Sequence, residues 1–520
     1  MCQVDDKEFN GQLEHREAPC LSKKCMKCKH STAVLLIRAG DAFCRDCFKE
    51  YFVHKFRAML GKNRTIFPGE KVLLAISGGP SSFSMLAQVQ EGLSREASKK
   101  LRFSPGIVYI DEGGATGQSL EERASFVSPL EAVFKATGYP YYIVPLEQVL
   151  SLPMSVLEVG TPATDRAGGS YKAGVDQYIQ NQHQSPGPAH PQVDLSHLNL
   201  KDGKIRDPAL ATPDSAQSQA LQRLFASIKT LTAREDMLQT LRNHLILYVA
   251  RSEGFSKVML GDSCTRLAVR LLSSISLGRG SALAMDTGFS DTRYGDVVLV
   301  RPMRDYSSKE IAFYNRMFGV PTVFIPALDT KVPDKASIQR LTESFVTKLQ
   351  ADFPATVSTI YRTGEKLHTA CPHQTSCVDH TAKCLLCMCA LDTTVEEASA
   401  FQATLISEQL SQRKDPGLTP SPPAPVSGSS PVSPGQCCSS AGSQREGCGS
   451  GEVCCSSSRL PDVDVKSLLC YSCRLTVKDM MSVDTLPQYI LSEAERRKRR
   501  SKMKEEIREF LLEKNEEDLS

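Results

Sequence analysis

The sequence predicts an α/β fold: a doubly wound parallel sheet flanked by small zinc-binding modules. Two observations lead to this prediction. Between about residues 68 and 330, short apolar segments without polar alternation are separated by helical patterns, as in a parallel sheet covered on both faces. Paired cysteines, spaced as metal ligands usually are, lie on both sides of this region.

Composition limits the functional classes. A chain of 520 residues suggests three or four units of about 150 residues each. The net charge of +3 does not by itself indicate a nucleic-acid partner. Met1–Lys24 has no apolar run, and no apolar run in the chain reaches the roughly 20 residues of a membrane span. Nineteen cysteines without a secretory signal favour thiols and metal over disulfides, so we expect a cytoplasmic protein without a membrane partner.

The predicted elements alternate along the chain. One helix runs from Leu120 to about Lys135 and stops before Gly138, and a longer one ends at Gly254. Ser307 and Glu310 form a capping-box pattern for a later helix. The predicted strands are Val72–Ile76, Ile107–Ile110, Tyr141–Val144, Lys257–Leu260 and Val297–Val300.

The turn Ser77–Ser82 follows the first predicted strand. Its small residues allow main-chain N–H groups to approach an anion, and Pro80 suits the first position of a helix. Because a helix N-terminus favours phosphate, a phosphate group is the candidate ligand of this turn. The spacing of the turn resembles the pyrophosphate loop of ATP pyrophosphatases. This resemblance implies ATP as the ligand, and the candidate nucleotide-binding residues are Ser77, Gly78, Gly79, Ser81, Ser82 and Asp111.

The first cysteine group is Cys25-x2-Cys28, fifteen residues, then Cys44-x2-Cys47. Four thiolates close a tetrahedral shell, so we predict a structural zinc ion. Residues 20–64 hold eleven Lys/Arg and three Asp/Glu. This excess suits a phosphate backbone, and a generic solvated surface is the alternative. The candidate contact residues are Lys23, Lys24, Lys27, Lys29, Arg45 and Lys49.

A second group pairs Cys384 and Cys387 with Cys470 and Cys473, across 82 intervening residues. We predict that the interval loops out while its ends share one metal ion. Substitute ligands leave this assignment open: Cys371, His373, Cys377 and Cys389.

Two segments are too poor in apolar residues to fold, and they set the domain boundaries. The basic run Arg496–Arg500 belongs to the predicted tail helix. It is either a solvated helix face or a patch that acts as a nuclear-localisation signal or contacts RNA. The predicted units are a disordered N-terminus (1–19), a basic zinc module (20–64), an α/β domain (65–159 and 215–350), a disordered insertion (160–214), a C-terminal cysteine-rich module (351–411 and 460–490), a Ser/Pro-rich insertion (412–459) and a charged C-terminal helix (491–520).

Four motifs together resemble a known family. They are Ser77–Ser82, Tyr109–Gly113, Leu260–Thr265 and Arg301–Arg304, with zinc pairs on both sides. This combination resembles the cytoplasmic tRNA thiolation proteins, whose core is of the pyrophosphate-loop ATPase type. The resemblance covers about residues 20–150 and 215–500, and it is greatest to the family's second, non-catalytic-looking member.

The resemblance implies a heterodimer with a catalytic paralogue. Such a pair makes 2-thiouridine at the wobble position of tRNA(Lys), tRNA(Glu) and tRNA(Gln). ATP adenylates the uracil, and sulfur from a thiocarboxylated ubiquitin-related carrier then displaces AMP. The six basic residues near the first cysteine group become candidate tRNA contacts.

The sequence departs from the catalytic members of that family in three places. Ser81 replaces the loop Asp, which weakens the case for ATP. Thr232–Asp236 stands where the catalytic relatives have a cysteine pair, and Gly261–Thr265 replaces their Gly-His-Asn-Ala-Asp-Asp motif. We therefore expect no catalytic residues and a supporting, tRNA-binding subunit.

Two other functions remain open. Cys264 follows the strand that ends near Gly261, so the chain could itself be an ATP-dependent, tRNA-adenylating sulfurtransferase with Cys264 as its nucleophile. A lone cysteine also fits a small buried residue. The third possibility is a zinc-ribbon adaptor that binds proteins and not RNA.

Overall fold

A computed structural model describes residues 23–160, parts of 171–180, 214–367, 383–391 and 465–507, with short gaps at 38–40, 95–96, 98–99, 331, 354 and 365. The predicted disordered segments at 1–19, 160–214 and 412–459 lie wholly or mostly outside these residues. The strands are β1 (Leu35–Leu36), β2 (Ala42–Phe43), β3 (Lys71–Ala75), β4 (Ser104–Asp111), β5 (Tyr141–Pro145), β6 (Lys257–Leu260), β7 (Ser290–Asp291) and β8 (Val298–Val300). The helices are α1 (Arg45–Asn63), α2 (Pro80–Leu93), α3 (Gly113–Thr116), α4 (Leu120–Thr137), α5 (Ser215–Ser227), α6 (Leu231–Ser252), α7 (Cys264–Ser276), α8 (Leu283–Thr287), α9 (Ser308–Phe318), α10 (Ile338–Asp352), α11 (Thr356–Gly364), α12 (Tyr471–Lys478) and α13 (Gln488–Glu506).

Six strands form the central sheet in the order β5-β4-β3-β6-β8-β7. All neighbours are parallel except β7, which pairs antiparallel with β8 at the edge. The five predicted strands are confirmed, whereas the two-residue strand β7 was not predicted. Because β4 and β5 lie on one side of β3 and the chain then crosses to β6 on the other side, the crevice at the carboxyl ends of β3 and β6 is the expected ligand position.

Apolar side chains cover both faces of the sheet. On β3, Val72 and Leu74 join a core with α1, α2, α4 and α9, whereas Leu73 joins a second core with α5 and α6. All three are fully buried, which explains why the strand reads as an uninterrupted apolar run. The predicted doubly wound α/β fold is confirmed.

Local signals set the helix ends as expected. Pro80 occupies the first turn of α2. Gly138 ends α4 in the left-handed conformation at φ 70°, a position that a side chain would strain. The predicted capping box of Ser307 and Glu310 at the start of α9 is present, with both hydrogen bonds formed.

The C-terminal segment packs on α6 and shares its core. The buried side chain of His244 on α6 connects three parts of the chain. Its Nδ1 lies 2.6 Å from the Tyr489 hydroxyl of α13, and its Nε2 lies 2.7 Å from the Leu386 carbonyl oxygen. Burial lowers the pKa of His244 to about 4, so Nε2–H of the neutral ring donates to the carbonyl.

Among the helices in the described ranges, none combines the length and the apolar character that crossing a membrane requires.

Candidate nucleotide site and metal centres

The Ser77–Ser82 turn connects β3 to α2 and is closed by its own side chains. The Ser82 hydroxyl accepts from the Ser77 N–H at 3.2 Å and donates to the Gly79 carbonyl at 3.0 Å. Gly78 has φ +80°, and a Cβ there would lie 2.4 Å from the Ile325 side chain. The turn therefore requires glycine at this position, for its conformation and for the close approach of Ile325.

Ser81 stands where the catalytic members of the tRNA thiolation family are expected to have an aspartate. Its side chain connects two loops. Its hydroxyl donates to the carbonyl of Gly261, in the loop after β6. The two loops also touch through their backbones, since a Cβ on Gly261 would lie 2.8 Å from the Ser82 Cα. An aspartate could not donate to this carbonyl, so the serine suits a contact between loops better than a role in holding metal or phosphate.

The segment after α9 covers one side of the turn. Val323 donates its N–H to the Gly78 carbonyl at 3.1 Å, and the Gln118 side chain donates to the Pro326 carbonyl at 3.3 Å. Between them, Phe324 is 72% exposed. These contacts hold the covering segment against the turn.

Asp111 ends β4 inside a buried ion triad. One carboxylate oxygen accepts from the Gly113 N–H at 3.0 Å, and the other accepts from the Arg123 guanidinium at 2.8 Å. Arg123 also donates twice to Glu147, at 2.6 and 3.0 Å. Both oxygens of Asp111 thus have protein donors, and its nucleotide-binding role stays a prediction.

Asp262, next to Gly261, is also paired. Its carboxylate lies 3.1 Å from Arg270 and 3.4 Å from Arg301. Burial alone would raise the pKa of Asp262, but these two guanidinium groups and Arg266 hold it below its usual range. The carboxylate in the loop after β6 is therefore engaged by protein cations.

The Thr232–Asp236 segment forms the first turn of α6. Asp236 accepts from Arg279 at 3.1 and 3.3 Å. Burial raises the pKa of Glu235 to about 7, and the neighbouring carboxylates of Asp329 and Asp236 add to the shift. Where the catalytic relatives are expected to carry thiols, this chain has carboxylates.

Cys264 is the first residue of α7 and is buried. Its N–H donates to the Tyr306 carbonyl at 2.8 Å. Burial raises the pKa of the Cys264 thiol to about 11, and the Glu310 carboxylate adds to the rise. Since the thiolate is the nucleophile, this sulfur is poorly suited to sulfur transfer at neutral pH.

The four sulfurs of the first cysteine group come together as predicted. They lie within 4.8 Å of one another, with 3.9 Å between Cys28 and Cys44. Cys44 precedes α1 and Cys47 lies in its first turn. The donor set fits a tetrahedral metal ion such as zinc without an open position, which suits a structural site.

Half of the predicted basic contact residues are engaged within the protein. Lys27 and Lys49 pair with glutamates of α1 and α2 at 2.7 and 3.9 Å. Arg45 donates to a main-chain carbonyl of α9 and lies over the Phe318 ring. The other three are exposed and form no side-chain hydrogen bond or ion pair with described residues: Lys23, Lys24 and Lys29.

The second cysteine group is also assembled, despite its long interval. Cys384, Cys387, Cys470 and Cys473 place their sulfurs within 4.8 Å of one another. Of the substitute ligands, Cys389 instead accepts a hydrogen bond from Arg293 at 2.7 Å. The others lie outside the described residues: Cys371, His373 and Cys377. The donor set again fits a metal ion such as zinc.

Comparison with known proteins adds independent information. The family model for cytoplasmic tRNA 2-thiolation protein 2 matches residues 337–475. A protein of that name from Danio rerio is 60% identical over 523 residues, covering 99% of this chain and 100% of the relative. The human protein of the same name is 50% identical over 533 residues, covering 100% and 99%.

One solved structure is distantly similar to this chain. It is the U34-tRNA thiolase NcsA from Methanococcus maripaludis with its 4Fe-4S cluster. Its TM-score is 0.42 at 14% identity, covering 67% of this chain and 87% of that one. The curated relatives carry "cytoplasmic" in their names, in agreement with the predicted location. Since relatives at 50–60% identity align along essentially the whole sequence, the chain belongs to the cytoplasmic tRNA 2-thiolation protein 2 family.

Proposed function

We propose that this chain is the non-catalytic subunit of a cytoplasmic tRNA thiolation complex. It supports a catalytic paralogue that makes 2-thiouridine at the wobble position of tRNA(Lys), tRNA(Glu) and tRNA(Gln). The paralogue adenylates the uridine and transfers sulfur from a thiocarboxylated ubiquitin-like carrier. This chain contributes tRNA binding and structural support.

The proposal rests on the contacts that the Ser77–Ser82 turn makes within the protein. Ser82 occupies the inside of the turn, Ser81 is bonded to Gly261, and Ile325 packs on Gly78. These contacts use the Ser77 N–H and the hydroxyls of Ser81 and Ser82, and the turn has a serine where an aspartate is expected, so ATP binding by this chain is expected to be weak. Sulfur transfer also lacks support here, because Cys264 is buried and its pKa is raised.

The two cysteine clusters fit structural metal sites. Each offers four thiolates and no open coordination position. Zinc would hold the first cluster at the start of α1 and the second against α6, and in neither place would it serve catalysis. The exposed lysines beside the first cluster are candidate tRNA contacts: Lys23, Lys24 and Lys29.

The decisive experiment separates the two subunits. The chain and its catalytic paralogue are purified alone and together, and thiolation of tRNA(Lys) is measured with ATP and a sulfur donor. We expect activity from the pair and none from this chain alone. Catalytic turnover by this chain alone would overturn the proposal and favour the sulfurtransferase alternative.

A variant and a binding measurement complete the design. Cys264→Ser in the pair should leave the thiolation rate unchanged, whereas loss of activity would favour Cys264 as a nucleophile. Binding of tRNA by the pair at low salt should fall when this chain is omitted. No contribution to tRNA binding or to thiolation would favour the protein-interaction adaptor instead.

A further inference from the structure

A pocket of about 850 Å³ with a mixed polar and apolar lining is formed without any residue of the nucleotide turn. Its walls come mainly from α1, the loop before α9, the first turn of α9, the end of α10, and α11. This volume lies in the range of pockets that bind small ligands, about 300–1,000 Å³. The pocket therefore has room for a nucleotide-sized ligand.

The charges on the pocket floor are compensated. The Lys55 ammonium lies 2.8 Å from the Glu310 carboxylate, and their side chains are 14% and 2% exposed. The same Glu310 oxygen accepts from the Tyr51 hydroxyl at 3.3 Å. Arg304 lies over the Tyr361 ring, 4.8 Å from its centroid. The floor thus contains one neutralised ion pair, Lys55–Glu310, and a Tyr361 ring covered by Arg304.

The rim of the pocket carries three cations. Lys62, Lys309 and Arg362 are exposed and line the pocket, and no ion pair joins them to a carboxylate in the part of the chain that the structure describes. Asp305, one of the two acidic residues of the lining, instead accepts from the Tyr361 hydroxyl at 2.9 Å. Five Lys/Arg against two carboxylates give the lining a net charge of +3.

We propose that this pocket receives one nucleotide of a bound tRNA, with its phosphates at the rim cations. The inference rests on the proposed function, because it assumes that the chain binds tRNA. An anionic ligand compensates the rim charges, and the volume of the pocket admits a base together with its sugar and phosphate.

The position of α1 supports an RNA ligand. The helix begins at the first cysteine cluster, beside the candidate contact lysines, and Lys62 lies near its other end. Its 19 residues span about 28 Å at 1.5 Å per residue. Cations at both ends of one rigid helix fit an extended polyanion better than a free mononucleotide.

The test uses the full chain with its paralogue and two matched double variants. Lys62→Glu/Arg362→Glu reverses two rim charges. The control, Lys71→Glu/Arg102→Glu, reverses two exposed charges at the amino ends of β3 and β4, the opposite edge of the sheet. Fluorescence anisotropy with labelled tRNA(Lys) is recorded from low to high salt, and thermal midpoints verify that both variants fold.

We expect the rim variant to bind tRNA about 10- to 100-fold more weakly at 0.1 M salt, with the salt slope reduced by about two. The control should bind like the unmodified complex. Equal affinities of rim and control variants would overturn the inference. So would rim variants that lose AMP binding but keep tRNA binding, since the pocket would then serve a free nucleotide. If the unmodified chain adds nothing to tRNA affinity, the proposed function itself fails.

If the glutamate variant misfolds, Lys62→Gln/Arg362→Gln removes the charges without reversing them. It should reduce the salt slope by about two while leaving the thermal midpoint unchanged. An unchanged slope in this variant also overturns the inference.

Discussion

Replacing Arg123 with methionine tests the interpretation of Asp111 as a structural residue. Arg123 on α4 is 3% exposed and pairs with Asp111 and Glu147, whose side chains are 5% and 0% exposed. Methionine fills a similar volume but donates no hydrogen bond. The substitution therefore leaves two buried carboxylates without their cation.

Breaking a buried ion pair by removing one partner costs about 3–5 kcal/mol. A change of 1 kcal/mol shifts the midpoint of a domain of 150–250 residues by about 2–4 °C, so we expect the thermal midpoint to fall by about 6–20 °C. The matched control is Lys135→Met on the same helix, because the Lys135 side chain is 62% exposed where it pairs with Glu131. Such pairs contribute about 0.3–0.5 kcal/mol, so the control should shift the midpoint by no more than about 2 °C.

Circular dichroism at 222 nm follows the transition in both variants. The triple variant Asp111→Asn/Arg123→Met/Glu147→Gln removes all the charges and should regain much of the loss, because no uncompensated ion remains. The reasoning is refuted if Arg123→Met and Lys135→Met shift the midpoint equally. A triple variant less stable than Arg123→Met would also contradict it.

Three further predictions follow from the candidate site. Since burial raises the pKa of Cys264 to about 11, its alkylation by iodoacetamide at pH 7.5 should be about 300-fold slower than that of a free cysteine, as measured by peptide mass spectrometry; reaction at the free rate would contradict the buried thiol. Ser81→Asp removes the donor to Gly261, so it should lower the thermal midpoint and give no ATP binding by calorimetry, and tight ATP binding would show that this one residue disables the turn. Because burial raises the pKa of Glu235 to about 7, the folded chain holds this proton more tightly than the unfolded chain; the stabilising contribution is present below about pH 4.5 and is lost as the pH rises through about 7. Glu235→Gln should therefore flatten the pH dependence of unfolding in that window, and an unchanged dependence would contradict the assignment.

Local signals in the sequence predicted much of the fold. The uninterrupted apolar strands, Pro80 at the start of α2, Gly138 at the end of α4 and the Ser307–Glu310 capping box each depend on residues close together in the chain. The spacing of the cysteine pairs was equally informative, because the geometry of a tetrahedral site restricts it.

Long-range contacts account for what the sequence did not reveal. The hydrogen bond from Ser81 to Gly261 joins residues 180 positions apart, and the buried pair of Arg123 and Asp111 is not distinguished by any local pattern. The pocket beside Cys264 combines α1 with helices more than 200 residues later. Strand β7 has two residues, too few to produce a periodic signal.

The second cysteine cluster has a consequence for synthesis of the chain. Its two cysteine pairs are separated by 82 residues, and Cys470 and Cys473 lie at the start of α12. The site can close only after Cys473 has left the ribosome, well after Cys384 and Cys387 have done so. A stop codon between Cys387 and Cys470 would therefore leave two thiols without their partner ligands and would remove α12 and α13 from the face of α6.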